Sequence, residues 1–305
     1  MMSKKEEFLA RLKAASANVK TEEPMKRHTT FQVGGAADYF VTPENSRELK
    51  AVLALCREEA IPFFILGNGS NLLVSDSGYR GVIVHIGRPM AELSIEGTTI
   101  TAGAGVTLAR LAQAAMEAGL TGLEFASGIP GTLGGALVMN AGAYGGEMAQ
   151  VVKNASILTK TGEERRLSLT ELQFGYRTSA ILREGYLALG AELNLQPGDK
   201  AEIKKTMEEL AAKRREKQPL EYPSAGSTFK RPEGYFAGKL IMDAGLSGFS
   251  VGGACVSEKH CGFVVNRGGA TAADIWELCS RVKEIVKEKF GVTLELEVRL
   301  LGDFG

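Results

Sequence analysis

The stretch from Glu124 to Gly146 constrains this chain more than any other, because it is rich in glycine and almost uncharged. Glycine adopts positive φ angles without a steric penalty and lets other groups approach its backbone closely. Few side chains leave backbone N–H groups free to converge on a bulky anion. Pro130 stiffens the stretch and Asn140 adds a polar group. We interpret it as a cofactor-binding loop rather than a loop that crosses a packed region. Its glycines are Gly128, Gly131, Gly134, Gly135, Gly142, Gly145 and Gly146.

A second, shorter loop supports this interpretation. The apolar run IPFFIL at 61–66 has the composition of a strand and leads directly into GNGSN at 67–71. A strand that ends in such a loop is typical of a phosphate-binding nest. The loop lacks the third glycine of GxGxxG, and GxxxxGK[ST] does not occur in the sequence. These absences argue against a Rossmann domain and against a P-loop kinase.

Composition and charge exclude several classes of partner. The chain has 305 residues, 44% of them hydrophobic, which is enough for two or three domains. Lys and Arg together equal Asp and Glu together, at 36 each, so no global field recruits nucleic acid or an anionic membrane. The apolar runs are too short to span a bilayer, and we expect a cytosolic protein. The four cysteines and three histidines lack metal-ligand spacing, so buried reduced thiols and no metal are expected.

Periodicity predicts alternating strands and helices in the first two-thirds of the chain. Asn45 and Glu48 predict a helix N-terminus before the IPFFIL strand, which gives a βαβ unit. A second unit begins near Leu93 with two short strands, followed by a helix that Thr107 caps and Gly119 ends. The turn residues after Leu195 predict a domain boundary near Pro197.

The last third predicts a basic helix at 201–217, a helix near 237–246, and a long helix from Thr271 to Gly291. The tail VTLELEVRLLG alternates strictly, with Leu300 among the residues of the buried face. Alternation alone places Glu297 on the exposed face of that strand. The cations that end the basic helix are typical of a solvated face that the helix dipole favours, with phosphate binding as the alternative.

Seven separated segments, in one order from about Thr29 to Gly302, resemble the UDP-N-acetylenolpyruvoylglucosamine reductase family, also called UDP-N-acetylmuramate dehydrogenases. They are HTTFQVGGAADYF, LGNGSNLLVSD, EFASGIPGTLGGALVMNAGAYGGE, FGYRTS, SAGSTFKRP, AGKLIMDAGLSG and LELEVRLLG.

The resemblance implies an α+β fold with an FAD-binding region of the vanillyl-alcohol-oxidase (PCMH) type. We expect a first FAD-binding subdomain with the N-terminal helix at 1–86, a second at 87–196, and a substrate-binding domain at 197–305. The chain resembles the shorter variety of the enzyme, in which a tyrosine lid over the substrate is not assumed. The resemblance leaves the oligomeric state open.

The resemblance also implies an activity. In this family NADPH reduces non-covalently bound FAD, and the flavin then passes hydride to C3 of a UDP-N-acetylglucosamine enolpyruvyl ether in peptidoglycan precursor synthesis. The expected cofactor-binding residues are Gly67, Asn68, Gly69, Ser70, Asn71, Gly128, Ile129, Pro130, Gly131, Gly134, Gly135, Asn140, Ala141 and Gly142.

Three positions resemble the catalytic residues of the family. Arg177 in FGYRTS corresponds to the arginine that polarises the substrate carboxylate, and Glu297 to the glutamate that works beside it on the developing enolate. Ser227 corresponds to the proton donor, which is cysteine in some relatives. Ser224 lies three residues earlier, and the sequence leaves open which of the two hydroxyls points inward. The expected substrate-binding residues are Tyr176, Arg214, Lys217, Lys230 and Arg231.

Two other functions use the same features. One is an oxygen-using flavin oxidase on the same scaffold, and the other is a flavin- or nucleotide-sugar-binding sensor without catalysis. The segments after Pro197 argue against the oxidase, and the joint presence of Arg177, Ser227 and Glu297 argues against the sensor.

Overall fold

A computed structural model describes residues 3–305, which form helices and strands in an α+β arrangement. Met1 and Met2, the first residues of the predicted first subdomain, lie outside the described residues. The helices are α1 (Lys4–Ala15), α2 (Ser46–Glu58), α3 (Leu108–Glu117), α4 (Leu133–Met139), α5 (Leu169–Leu172), α6 (Ala180–Arg183), α7 (Lys200–Lys217), α8 (Ala237–Asp243) and α9 (Ala272–Phe290). The strands are β1 (Val19–Pro24), β2 (Ala36–Val41), β3 (Phe63–Leu66), β4 (Leu72–Val74), β5 (Tyr79–His85), β6 (Leu93–Glu96), β7 (Thr99–Gly103), β8 (Leu120–Thr121), β9 (Gly142–Ala143), β10 (Gly146–Glu147), β11 (Val152–Leu158), β12 (Glu164–Ser168), β13 (Leu187–Asn194), β14 (Gln196–Pro197), β15 (Ser250–Val251), β16 (Ala254–Val256), β17 (Val264–Asn266) and β18 (Arg299–Leu301).

The chain divides into two compact units. The first comprises the residues up to Lys20, Tyr39–Asn68 and Gly81–Lys213. The second comprises Thr21–Asp38, Gly69–Arg80 and Arg214–Gly305. Thr21–Asp38 and Gly69–Arg80 therefore pack with the C-terminal third of the chain. The domain ranges predicted from the sequence are continuous and do not include this arrangement. The subdomain limits at residues 86 and 196 stay a prediction.

An antiparallel five-stranded sheet, in the order β12-β11-β13-β7-β6, forms the centre of the first unit. The two short strands predicted from Leu93 onward are present as the pair β6–β7, and β11 and β12 form a second hairpin. Helix α3 packs beside the sheet and buries four residues in the core: Leu108, Leu111, Ala112 and Ala115. Thr107 accepts from the backbone of Arg110 and Gly119 has a φ of +71°, so the predicted start and end of this helix are confirmed.

A second core in the first unit lies beneath α1 and α2. Asn45 caps α2 by accepting from the backbone N–H of Glu48, as predicted. The helix buries apolar residues at helical spacing, and α1 adds Phe8 and Leu12 to the same cluster. Strands β3 and β5 pair in parallel and contribute Val82 and Val84. As predicted, α2 is followed by β3, and the GNGSN loop begins where β3 ends.

The second unit packs α8 and α9 around the small antiparallel sheet β15-β16-β17. Thr271 and Asp274 form a capping box at the start of α9, and Gly291 ends the helix with a φ of +70°, as predicted. Strand β18 pairs in parallel with β4, in the register Leu300 to Leu73. This pairing holds the 69–80 segment in the second unit.

The prediction that the tail VTLELEVRLLG forms one long strand is wrong in part. Regular pairing is confined to β18, with one isolated bridge from Leu296 to Phe229 before it. Leu300, predicted to be buried, is exposed, whereas Leu301 is buried. The alternation breaks because β18 pairs with β4, and the preceding residues pair with a different segment. Glu297 is half-buried and not exposed as alternation alone suggests.

The cysteines are buried free thiols, as expected. Burial raises the pKa of the Cys56 thiol to about 11. Over residues 3–305, no helix combines the length and the apolar character that a bilayer crossing needs. In the same range no cluster of three or more His, Cys, Asp or Glu side chains has the arrangement of a metal site.

Asp76 is predicted to stabilise the second unit from outside α9. Its two carboxylate oxygens accept from the backbone N–H groups of Ala272 and Ala273, each at 2.9 Å, in the first turn of the helix. The Asp76→Ala substitution should reduce the stability of this unit by about 1–2 kcal/mol, because two N–H groups lose their acceptor at the positive end of the helix. The urea denaturation midpoint measures the effect. Asp303→Ala, which removes a single exposed turn contact, is the control and should have no measurable effect.

Glu192 is predicted to make the first unit sensitive to acid. The Asn154 amide, with Lys153 and Arg166, holds the pKa of the Glu192 carboxyl below its usual value. A lowered native pKa contributes stability above the unfolded value of about 4.3 and loses it as pH falls through the native value. Glu192→Gln should therefore flatten the fall in the urea midpoint between about pH 5 and pH 3. A fall as steep as in the parent chain would contradict this, and the exposed Glu163→Gln variant is the reference.

Candidate active site

The two glycine-rich loops predicted to bind a cofactor meet in the first unit. The amide nitrogen of Asn68 donates to the carbonyl oxygen of Pro130 at 2.8 Å. A Cβ atom built on Gly67 would lie 2.6 Å from the Thr132 hydroxyl oxygen, so only glycine allows this approach. The tertiary structure therefore joins the start of GNGSN to the GIPGT segment, as expected for one site.

Backbone hydrogen bonds fix the GIPGTLGG segment in place. Leu133 N donates to Val106 O at 2.8 Å, and Gly134 N donates to Ala104 O at 2.9 Å. In the opposite direction, Leu108 N donates to Gly131 O at 3.0 Å. Contrary to the expectation of a long loop, residues 133–139 then form α4. The segment combines a short loop with a short helix.

The two adjacent glycines of this segment have different roles. A Cβ atom on Gly134 would lie 2.9 Å from Cβ of Ala104, so Gly134 is required for packing. A Cβ atom on Gly135 would have only the Thr132 hydroxyl within 4 Å, at 3.9 Å, and Gly135 is exposed. Packing within the protein does not account for Gly135. Its open backbone fits a ligand that lies against the start of α4.

The rest of GNGSN belongs to the second unit and offers a further polar group. Gly69 has a φ of +61° and its backbone lies against His28. Gly69 O accepts from Thr30 N at 3.2 Å, and the hydroxyl of Thr30 is buried without a hydrogen-bond partner. Buried hydroxyls are normally satisfied. An orphaned hydroxyl beside a glycine loop is a feature that fits a phosphate-bearing ligand.

Two predicted catalytic residues, Ser227 and Glu297, lie on hydrogen-bonded segments of the second unit. Glu297 N donates to Thr228 O at 2.9 Å, next to Ser227. Thr228 is buried, and its hydroxyl accepts from Val264 N at 2.9 Å, which fixes this part of the loop. Ser227 itself is exposed and Glu297 half-buried. The amide of Asn71 donates to Glu297 O at 3.1 Å, so the GNGSN loop also supports the glutamate.

Ser224 differs from Ser227 in its surroundings. It forms an isolated bridge with Val265 and is half-buried. Ser227 follows Gly226, which has a φ of +77° and open space around it. The more accessible hydroxyl is therefore that of Ser227.

Arg177, the third predicted catalytic residue, lies in the first unit in a tight turn. Gly175 and Thr178 exchange backbone hydrogen bonds at 3.1 and 3.3 Å. Arg177 has a φ of +54°, which is uncommon for a residue with a side chain and is found at functional sites. Its guanidinium donates to Gly142 O at 3.5 Å and lies 5.2 Å from the exposed ring of Tyr176. Tyr176 and Arg177 thus present adjoining side chains from one turn.

The predicted substrate-binding cations lie in the second unit. Arg214, in the last turn of α7, donates to Gln218 at 2.9 Å, and Lys217 is exposed at the end of that helix. Lys230 pairs with Glu295 at 2.9 Å, and this bond holds the pKa of the Glu295 carboxyl below its usual value. The Arg231 guanidinium lies 4.0 Å from the ring centre of Phe236.

Sequence reasoning did not single out Tyr144. It lies in the two-residue turn between β9 and β10, with a φ of +53° and 47% of its surface exposed. Such turns favour Asn-Gly, because both residues need positive φ. The Tyr-Gly pair in this turn could have drawn attention to Tyr144 in the sequence. An aromatic residue here is strained and gains no packing in return, and such strain is found at functional sites.

Comparison with known proteins identifies the family. The profile described as the C-terminal domain of UDP-N-acetylenolpyruvoylglucosamine reductase matches residues 218–301, and an FAD-binding-domain profile matches residues 37–168. A UDP-N-acetylenolpyruvoylglucosamine reductase of Agathobacter rectalis is 54% identical, with 93% of this chain and 94% of the relative covered. One of Clostridioides difficile is 53% identical, with 94% of each covered. The chain belongs to the UDP-N-acetylenolpyruvoylglucosamine reductase family.

Solved structures agree with this assignment. The crystal structure of the reductase from Thermus caldophilus superposes with a TM-score of 0.80 at 38% identity, over 93% of this chain and 98% of that one. A 4-ethylphenol oxidase from Gulosibacter chungangensis, at 15% identity and a TM-score of 0.50, shares the fold over 65% of this chain and 44% of its own. The predicted α+β fold with an FAD-binding region and a C-terminal domain is confirmed, and the cofactor is FAD.

Gly134 and Gly135 provide a test of the cofactor site. Gly135→Leu should greatly lower the FAD content, because the new side chain occupies the open face at the start of α4, yet leave the urea midpoint of the flavin-free protein nearly unchanged. Gly134→Ala should instead lower that midpoint, because crowding against Ala104 reduces the free energy of unfolding by about 1–3 kcal/mol. Absorption at the flavin bands measures the first effect. Full flavin content in Gly135→Leu would show that this backbone does not face the cofactor.

Proposed function

We propose that this chain reduces the enolpyruvyl ether of UDP-N-acetylglucosamine to UDP-N-acetylmuramate in peptidoglycan precursor synthesis, with FAD as cofactor and NADPH as the electron source. The observation that carries the proposal is identity above 50% with curated UDP-N-acetylenolpyruvoylglucosamine reductases over more than 90% of both chains. These relatives are oxidoreductases acting on that nucleotide sugar by name. We expect the reaction to take place in the cytoplasm, where its precursor substrates are.

FAD is bound without a covalent link, by the glycine-rich loops at 67–71 and 128–142. When bound, it supplies the hydride that the enolpyruvyl double bond accepts at C3. The backbone of Gly135 supports this placement, because it offers open surface that the packing of the protein leaves unused.

Arg177 holds the substrate carboxylate. A guanidinium is planar and presents paired donors, so it binds a carboxylate more specifically than an ammonium group does. As hydride arrives at C3, negative charge develops toward the carboxylate, and a preorganised cation stabilises that charge. The strained φ of Arg177 supports this role, since strain at a polar residue accompanies function. Tyr176, from the same turn, also binds the substrate.

Glu297 and Ser227 complete the chemistry at the enolic carbon. Glu297, as the acid or through a shared proton, stabilises the enolic intermediate. Ser227 donates the proton to C2, and because an unaided hydroxyl is a weak acid, the basic carbon and close positioning offset the pKa mismatch. The hydrogen bond between the Glu297 and Thr228 backbones supports joint action, because it holds the two side chains on neighbouring segments.

Four cations bind the diphosphate of the nucleotide: Arg214, Lys217, Lys230 and Arg231. Arg214 and Lys217 share the last turn of α7, and Lys230 and Arg231 are adjacent in the chain, so two pairs of cations support this assignment in a chain whose global charge is balanced. The stacking of Arg231 on Phe236 pre-orders the guanidinium, which reduces the entropy lost on binding.

One experiment separates this function from the two alternatives. The purified chain should show flavin absorption bands and should oxidise NADPH when the enolpyruvyl sugar is added. Peroxide release with substrate and without NADPH would instead indicate an oxidase. Flavin binding without any NADPH oxidation would indicate a sensor.

Ser227→Ala is predicted to separate the two half-reactions. NADPH-driven bleaching of the flavin should continue at the rate of the parent chain, because it does not need the proton donor, while turnover falls by about 10²–10⁴-fold. Stopped-flow absorbance measures the first rate and steady-state NADPH oxidation the second.

Ser224→Ala is the matched control and should keep both rates, since Ser224 is the less accessible hydroxyl of the same loop. Ser227→Cys should retain turnover, because a thiol also donates a proton. If Ser227→Ala lost both half-reactions equally, Ser227 would not be the donor.

A further inference from the structure

The side chain of Asn140 is fully engaged by the protein. Asn140 is 1% exposed and ends α4 in the left-handed conformation, with φ +43° and ψ +57°. Its amide nitrogen donates to Gly175 O at 3.2 Å, and its amide oxygen accepts from Ala149 N at 3.0 Å. Gly175 opens the turn that carries Arg177. The amide therefore connects the end of α4 to that turn.

A second hydrogen bond attaches the other end of the same turn to α4. The hydroxyl of Ser179, a fully buried residue, donates to Val138 O at 2.8 Å. The Arg177 turn is thus held at Gly175 by Asn140 and at Ser179 by the last turn of α4. This double attachment matters because Arg177 has a φ of +54°, a conformation that costs about 1 kcal/mol and persists only where the surroundings enforce it.

The helix that carries these attachments begins at the cofactor loop. Its first residues, Leu133 and Gly134, are bound to the backbone of 104–106, and the exposed Gly135 follows them. A seven-residue helix separates the two ends, so the position of one end determines the position of the other. The glycine-rich segment predicted to bind FAD thus lies at one end of α4, and the Arg177 turn is attached to the other end of this rigid helix.

We propose that Asn140 is a positioning residue for Arg177, which places the guanidinium for the substrate carboxylate. The inference rests on the proposed function of Arg177 and extends it. Without the amide donor, Gly175 O keeps only the 3.3 Å bond from Thr178 N within the turn itself, so the turn loses its attachment to α4 at this end and relaxes. Arg177 then remains in the protein but is displaced from the carboxylate. The expected cofactor contact of Asn140 stays a prediction and is separate from this role.

Two variants remove the bond in different ways. Asn140→Gly keeps the left-handed backbone conformation and deletes the amide. Asn140→Asp keeps an acceptor for Ala149 N but sets a carboxylate oxygen against Gly175 O. Either variant should lower the rate at which substrate reoxidises the reduced flavin by on the order of 10- to 100-fold, as expected for a displaced catalytic group. The rates are compared per bound flavin, so that a change in flavin content in either variant does not enter the comparison.

Ligand binding gives a readout that general loosening of the protein would not produce. UDP-N-acetylmuramate carries the carboxylate that Arg177 binds, and UDP-N-acetylglucosamine lacks it. Calorimetry on Asn140→Gly should show about tenfold weaker binding of the first ligand and unchanged binding of the second. Equal weakening of both ligands would overturn the proposal. Asn154→Ala, which removes a buried amide elsewhere in the first unit, is the control and should not change this ratio.

A double-mutant cycle with Arg177→Ala tests whether Asn140 acts through the arginine. In the Arg177→Ala background, Asn140→Gly should cause little further loss in flavin reoxidation, because its effect is already absent. Additive losses would overturn the positioning role. If Arg177→Ala alone kept the full reoxidation rate, the proposed function of Arg177 would fail instead. A required Arg177 together with an unaffected Asn140→Gly would refute only this inference.

Discussion

Backbone hydrogen bonds between residues 104–108 and 131–134 hold the glycine-rich segment, and the site in the first unit depends on them. They align the segment without side chains, so the space that side chains would fill stays open for FAD. Gly134 must be small for the two backbones to approach, whereas Gly135 faces open space, where we propose that the cofactor lies. One pair of adjacent glycines therefore meets two separate steric requirements.

The same segment continues into α4, whose far end holds the turn of Arg177 through Asn140 and Val138. Strained residues cluster here, with Asn140, Tyr144 and Arg177 all at positive φ. Each costs about 1 kcal/mol relative to an ordinary conformation, except that asparagine tolerates it better. Buried hydrogen bonds at both ends of the Arg177 turn offset that cost. In the proposed function, Arg177 is thereby held before substrate binds, which reduces the reorganisation needed during catalysis.

In the second unit, a comparable arrangement supports Glu297. Asn71 donates to its carbonyl oxygen, and its own N–H donates to Thr228 O beside Ser227. The fixed point is Thr228, which is buried and bonded to Val264. Serine and glutamate thus extend from backbone that neighbouring strands immobilise. Exposure of Ser227 then follows from Gly226, which turns the chain outward at positive φ.

Local signals in the sequence determined most of the helices and hairpins, the caps at Asn45, Thr107 and Thr271, and the two glycine loops, because capping, turn chemistry and periodicity act within a few residues. Motif order determined the family. Only the tertiary structure decided that Asn68 bonds to Pro130 and that residues 69–80 pack with the C-terminal third. It also decided that regular strand pairing in the final alternating run is confined to the three residues of β18. It also decided that the Asn140 amide holds the Arg177 turn. These outcomes depend on partners that lie far away in the chain, and a local pattern carries no information about which distant backbone group will satisfy a given donor.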